Sequence, residues 1–271
     1  MTTPDDPSHL PARALQGDLD RIAAAIGAVT PIVRRIAAGE LEVATKERGD
    51  PVTEADRLVN DRLHELLLHD GEGWLSEETV DDLRRLDRRR VWVVDPLDGT
   101  REFVERIPEY CVSIGLVEDG VPVAGGIANP ATGEVMIGGL GLGLWLNGAR
   151  ATAVQRATLD DALVLASRSE VKRGEWERFK GKSFRIQAMG SVAYKLALVA
   201  AGKADATWTL VPKHEWDVAA GVALVRAAGG EVFLPSGALR RFNAANPKLP
   251  GLIAGGAALA GPLRQLLGVS G

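Results

Sequence analysis

The run Val91-Trp92-Val93-Val94-Asp95 most constrains what this chain can fold into. Consecutive large apolar side chains with no polar alternation read as a strand covered on both faces. Such a strand needs a layer of structure on each side, which implies layered α/β packing. The flanks supply candidate layers. Upstream, Leu15, Leu19, Ile22, Ile26 and Val29 recur at helical spacing, and Pro31 is expected to kink or interrupt that helix. Residues 38–51 read as a polar loop with room for short strands. A second helix is expected from Thr53, with Asp56 in a capping-box relation to it and Leu58, Val59, Leu63, Leu66 and Leu67 as its apolar face.

Downstream, residues 111–128 read as two strands around a turn at Asp119-Gly120, and GEVMIG with GLWLNG as a further hairpin ending at Asn147-Gly148. After about Ala151 the pattern alternates. Strands are expected at 163–167, 184–187, 205–210, 231–234 and 252–254, and helices at 171–180, 192–201, 218–228 and 257–267. The fold class expected is therefore α/β, with α+β character in residues 1–150 and an α/β part in residues 151–271. The two parts are expected to share one site.

Composition narrows the function classes. With 36 Asp+Glu against 32 Lys+Arg the chain carries a formal charge of −4, which gives no general attraction for nucleic acid. The one cysteine, Cys111, excludes a disulfide scaffold and is expected to be a small buried residue. No apolar run approaches the length of a membrane span. The polar, acidic start lacks the pattern of a signal peptide, so a reduced, cytoplasmic setting is expected.

The chemistry concentrates in DPLDGT, Asp95 to Thr100. The strand delivers Asp95 at its end, Pro96 turns the chain, and Asp98 points back toward the same space. Two carboxylates this close repel unless a cation lies between them, and oxygen donors suit Mg²⁺, Mn²⁺ or Ca²⁺. An acidic turn without a ligand is the plain alternative. Further acids at element ends weigh against it: Glu77 after Trp74-Leu75, Asp217 at a helix start, and Asp50 in GDPVTEAD.

The segments GDPVTEAD (49–56), WLSEE (74–78), DPLDGTREF (95–103) and EWDVAAG (215–221) resemble, in order and spacing, the motifs of the inositol monophosphatase superfamily of Mg²⁺-dependent, Li⁺-sensitive phosphomonoesterases. The resemblance runs from about residue 20 to 265 and implies an α-β-α-β-α sandwich. It also implies that Glu77, Asp95 and the Leu97 carbonyl hold a first ion, and Asp95, Asp98 and Asp217 a second. Glu77 would reach a third through water. Asp98, Gly99, Thr100, Ser191 and Asp217 would meet the phosphate, and Asp50 would bond the Thr100 hydroxyl to orient the attacking water. Mn²⁺ would substitute for Mg²⁺, Li⁺ and Ca²⁺ would inhibit, and the protein would be a homodimer acting on a small phosphorylated substrate, with no DNA, RNA or membrane partner. Arg101-Glu102-Phe103 and Ser167-Arg168-Ser169 are similar to the 3′(2′),5′-bisphosphate nucleotidase branch, which implies hydrolysis of 3′-phosphoadenosine 5′-phosphate to AMP. Inositol-1-phosphate or another sugar phosphate is the alternative substrate. Because the five acids and Thr100 are present, a purely regulatory binding protein is disfavoured.

Other features read as scaffold. The glycines of residues 138–148 do not form a dinucleotide fingerprint and read as a hairpin or flap. His214 reads as a non-ligand, and the six tryptophans as packing. Arg84, Arg85 and Arg88–Arg90, interleaved with Asp81, Asp82 and Asp87, read as a solvated, self-paired face.

Overall fold

In a computed structural model that describes residues 12–39, 43–45 and 51–269, the apolar series from Leu15 forms the buried seam of helix α1 (Ala12–Ala38). The helix runs through Pro31, so of the expected kink or interruption the interruption does not occur. Proline removes the hydrogen bond to the Gly27 carbonyl, but both residues lie on the exposed side, where water replaces it, and Val33 and Ile36 continue the buried seam. Strands β1 (Val43–Thr45) and β2 (Pro51–Thr53) pair antiparallel before helix α2 (Glu54–Leu67). Val59, Leu63 and Leu67 of α2 are buried, whereas Leu58 is exposed.

Next come β3 (Gly73–Ser76), β4 (Arg90–Asp98), the short helix α3 (Thr100–Val104), β5 (Cys111–Glu118), β6 (Val121–Asn129), β7 (Glu134–Gly139), β8 (Gly143–Leu146) and β9 (Ala149–Ala151). The seven strands form one sheet in sequence order, with β3 parallel to β4 and every later pair antiparallel. Turns at Asp119-Gly120 and Asn147-Gly148 both take two positive φ angles, the backbone that closes tight hairpins. The glycine-rich stretch from Gly138 joins β7 to β8 as a hairpin.

The rest comprises β10 (Leu163–Ser167), α4 (Arg168–Lys172), β11 (Arg185–Met189), α5 (Val192–Ala200), β12 (Ala206–Thr209), β13 (Lys213–His214), α6 (Glu215–Ala227), β14 (Gly230–Phe233), β15 (Lys248–Leu249), β16 (Leu252–Gly256) and α7 (Ala260–Leu267). A five-stranded mixed sheet has the order β11-β10-β12-β16-β14. The helix expected at 171–180 is instead α4 followed by a 3-10 turn, Glu177–Phe179. Gly174, at φ +80°, ends the helix, and the turn then inserts Trp176 and Phe179 beside Trp208.

Helices α1 and α2 cover one face of the larger sheet, and α5 and α6 fill the space between the two sheets. Helix α7 and the aromatic turn close the far face of the smaller sheet. This is the α-β-α-β-α sandwich, and β4 lies inside it with Val91 to Leu97 buried. The arginine-rich segment corrects one expectation. Arg84 is exposed beside Asp82, but Arg85 is only 2% exposed, and Arg90 turns inward to Asp18 at 2.5 Å and Glu118 at 3.1 Å. Those partners lie outside the local run, so its periodicity does not reveal them.

Candidate active site

The site begins with an irregularity in β4. Asp95 pairs with Ser113 and Asp98 with Cys111, so three steps along β4 face two along β5. In a regular strand, residues three apart point to opposite faces. The extra residue of the bulge restores the phase, and both aspartates address the same side. Beyond them Gly99 adopts φ +94°, and a Cβ there would lie 2.8 Å from the Glu109 carbonyl oxygen, so only glycine fits the turn. Thr100 follows, its hydroxyl 3.0 Å from the Leu97 carbonyl oxygen and 3.2 Å from Asp56 Oδ1.

A cavity of about 280 Å³ opens over this turn. Glu77 from the end of β3, Asp95, Leu97, Asp98, Gly99, Thr100, Ser191 and Asp217 all line it, so eight of the nine expected site residues meet in one place. The ninth, Asp50, lies outside the described residues. The carboxylate that the structure places on Thr100 is that of Asp56, which is 2% exposed in the first turn of α2. None of the six tryptophans lines the cavity.

Three of the acids are held in the same manner. Asp95 Oδ1 accepts the Leu97 N–H at 3.0 Å, and Asp217 Oδ2 accepts the His214 N–H at 2.9 Å. Asp98 Oδ2 accepts the Ser191 hydroxyl at 2.7 Å and the Ala193 N–H at 2.6 Å. Their other oxygens make no hydrogen bond among the described residues. Each carboxylate is thus oriented by one oxygen and keeps the other available. Burial, and then the neighbouring charges of Glu77, Asp98, Asp217 and Asp56, raise the Asp95 carboxyl well above its usual range. Burial and the charge of Asp98 push Asp217 up to about 7.

Cations line the same cavity. Lys195 is 3% exposed and donates to the carbonyls of Met189, Gly190 and Ser191 at 3.3, 3.2 and 2.8 Å, and burial lowers its ammonium to about 8. Arg168 is taken by Glu109, which also accepts the Gly190 N–H at 2.7 Å. Lys213 lines the cavity with no hydrogen bond or ion pair among the described residues. Sequence reasoning missed Lys195 and Glu109. The signal for Lys195 was a lone charge in the otherwise uncharged helix VAYKLALVA.

The donor set fits hard divalent cations, because it consists of carboxylate oxygens and a backbone carbonyl, and the carboxylates repel one another. Among the described residues, no group of three or more carboxylates, histidines or cysteines stands close enough together to hold a metal ion as placed. The free oxygens of Asp95, Asp98 and Asp217, with Glu77 and the Leu97 carbonyl, are the groups that would hold such ions.

Comparison with known proteins agrees with this chemistry. The profile described as the inositol monophosphatase family matches residues 18–263. An inositol-1-monophosphatase of Rhizobium meliloti is 35% identical over 199 residues, which is 70% of this chain and 74% of that one. The crystal structure of the extragenic suppressor protein SuhB of Bartonella henselae superposes with a TM-score of 0.78 at 29% identity, covering 93% of this chain and 98% of its own. CysQ of Bacteroides thetaiotaomicron gives 0.72 at 27% identity, covering 89% and 98%. With the expected acids gathered at one cavity of the expected sandwich, this chain belongs to the inositol monophosphatase family of metal-dependent phosphoric monoester hydrolases.

Proposed function

We propose that the protein is a Mg²⁺-dependent phosphomonoesterase whose preferred substrate is a 3′(2′),5′-bisphosphate nucleotide such as 3′-phosphoadenosine 5′-phosphate. The observation that carries the substrate choice is Lys213, an ammonium at the cavity wall that acts on Asp217 through its charge but makes no hydrogen bond or ion pair among the described residues. A second phosphate on the substrate gives that charge a partner.

Glu77, Asp95 and the Leu97 carbonyl would hold one ion, and Asp95, Asp98 and Asp217 a second. Two or three Mg²⁺ ions are expected in all, with Mn²⁺ as a substitute and Li⁺ and Ca²⁺ as inhibitors. Bound Mg²⁺ supplies charge neutralisation at phosphorus and a water of lowered pKa. The Thr100–Asp56 pair orients the attacking water by hydrogen bonding. The backbone at Gly99 and Thr100 approaches the phosphate closely because the turn admits no side chain at Gly99. Residues 1–150 carry most of the ion ligands, residues 151–271 complete the site, and a cytoplasmic homodimer is the expected form. Among the described residues no helix is long and apolar enough to cross a membrane.

Inositol-1-phosphate is the second reading, favoured by the name of the Rhizobium relative. Side-by-side phosphate release from 3′-phosphoadenosine 5′-phosphate and inositol-1-phosphate, with Mg²⁺ and with excess chelator, tests both levels. A large preference for inositol-1-phosphate overturns the nucleotidase assignment, and activity that survives chelation overturns the metal-dependent mechanism.

A further inference from the structure

Arg85 lies at the centre of a buried network that joins two distant stretches of chain. Its Nε donates to both oxygens of Asp81 at 3.1 Å, and its Nη2 donates to Asp81 Oδ2 at 2.7 Å and to the Ala244 carbonyl at 2.9 Å. Its Nη1 donates to Asn243 Oδ1 at 2.6 Å, and Asn243 Nδ2 returns a bond to the Arg85 carbonyl at 3.0 Å. The same loop then grips Glu215. Asn243 N–H donates to Glu215 Oε2 at 2.7 Å, Ala244 N–H to Oε1 at 3.3 Å, and Arg240 Nη2 lies 3.2 Å from Oε1.

The two ends of this network are informative. Asp81 lies four residues beyond Glu77, in the segment that leaves β3. Glu215 is fully buried and opens α6, whose first turn carries Asp217. One guanidinium therefore fastens the segment bearing one candidate ion ligand to the segment bearing another. The charges balance, two arginines against two carboxylates. Buried ion networks of this kind add little net stability over apolar packing, and where they matter it is in fixing a unique geometry. The planar fork is what allows a single side chain to hold Asp81 and the 243–244 loop together.

We infer that Arg85 is a positioning residue for the ion site, setting Glu77 and Asp217 at the separation the cations require. The inference rests on reading the cavity as a divalent-cation site. The test is direct Mn²⁺ binding to the full chain, read by the loss of the free-ion electron paramagnetic resonance signal, in wild type, Arg85→Met, Asn243→Ala and Arg84→Gln. Arg85→Met and Asn243→Ala are expected to weaken Mn²⁺ about tenfold, in the range seen when groups that orient metal ligands are removed. The Mg²⁺ concentration for half-maximal activity should rise by the same factor, with turnover at saturating Mg²⁺ changed less than about twofold. Arg84→Gln, exposed and outside the network, is expected to bind as wild type does. If Arg85→Met does not fold, Asn243→Ala carries the test. Wild-type Mn²⁺ affinity in Asn243→Ala overturns the positioning role, whatever happens to its melting temperature. A wild-type protein that binds no Mn²⁺ overturns instead the reading of the cavity as an ion site.

Discussion

Ser191 donates its hydroxyl to Asp98 Oδ2 at 2.7 Å across 93 positions of sequence, and Ser191 Oγ itself accepts the Tyr194 N–H at 3.0 Å as the N-cap of α5. One hydroxyl therefore starts a helix and aims a ligand. Its backbone sits at φ +50°, an unfavourable region for a residue with a side chain. Ser191→Ala should lose the cap, worth about 1 kcal/mol, and melt about 2–4 °C lower. Ser191→Gly relieves the backbone and loses the same donor to Asp98. Both variants should need more Mg²⁺ for half-maximal activity, with the glycine variant the more stable of the two in thermal melts. An unchanged Mg²⁺ requirement in both would show that Asp98 needs no such aiming.

Asp217 connects stability to pH. Burial and Asp98 raise its carboxyl to about 7 in the folded chain, from an ordinary value of 3.8. The folded state then holds a proton that the unfolded state has released, so metal-free stability should fall as pH rises from about 4 through 7 and level off above. Asp217→Asn should flatten that slope and melt higher than wild type at pH 8 in chelator, while phosphatase turnover drops at least about a hundredfold through loss of an ion ligand. Melting curves between pH 5 and 8.5 decide the matter, and parallel slopes for the two proteins would contradict it.

The Thr100–Asp56 contact predicts a catalytic effect separable from ion binding. Asp56→Asn should lower kcat about a hundredfold, as small misplacements of a reacting group do, and leave Mn²⁺ affinity within about threefold of wild type. Asp50→Asn is the informative companion. A loss of the same size there would return the role to Asp50.

Lys213 predicts discrimination between substrates. Lys213→Gln should raise KM for 3′-phosphoadenosine 5′-phosphate by about tenfold or more, the worth of a hydrogen bond to a charged group, and leave KM for inositol-1-phosphate unchanged. Equal effects on both substrates would point to a general electrostatic role.

The parts of this molecule legible in the sequence are those whose cause is local. Asp95 and Asp98 could be paired because a buried run ends on one and a Pro turn leads to the other. The hairpins at Asp119-Gly120 and Asn147-Gly148 announced themselves through residues that tolerate positive φ. In GDPVTEAD three acids, Asp50, Glu54 and Asp56, fall within seven residues, and pattern alone does not say that Asp56 meets Thr100; that depends on where the start of α2 lies in the fold. Pro31 does not end the helix because the buried seam on either side of it holds α1 together, and which side is buried is a tertiary property. Arg85 was illegible for a stronger reason. Two of its partners, Asn243 and Ala244, are 158 and 159 positions away, and one of them offers only a backbone carbonyl.

The half-anchored carboxylates carry a kinetic meaning. A carboxylate held by one oxygen has already lost its rotation about the terminal torsion before any ion arrives. The ordering entropy is therefore incurred once, when the chain folds, rather than at each arrival of a cation. Departure of an ion leaves behind repulsion, not slack, so these three carboxylates should take up the next ion on the timescale of diffusion and ion dehydration.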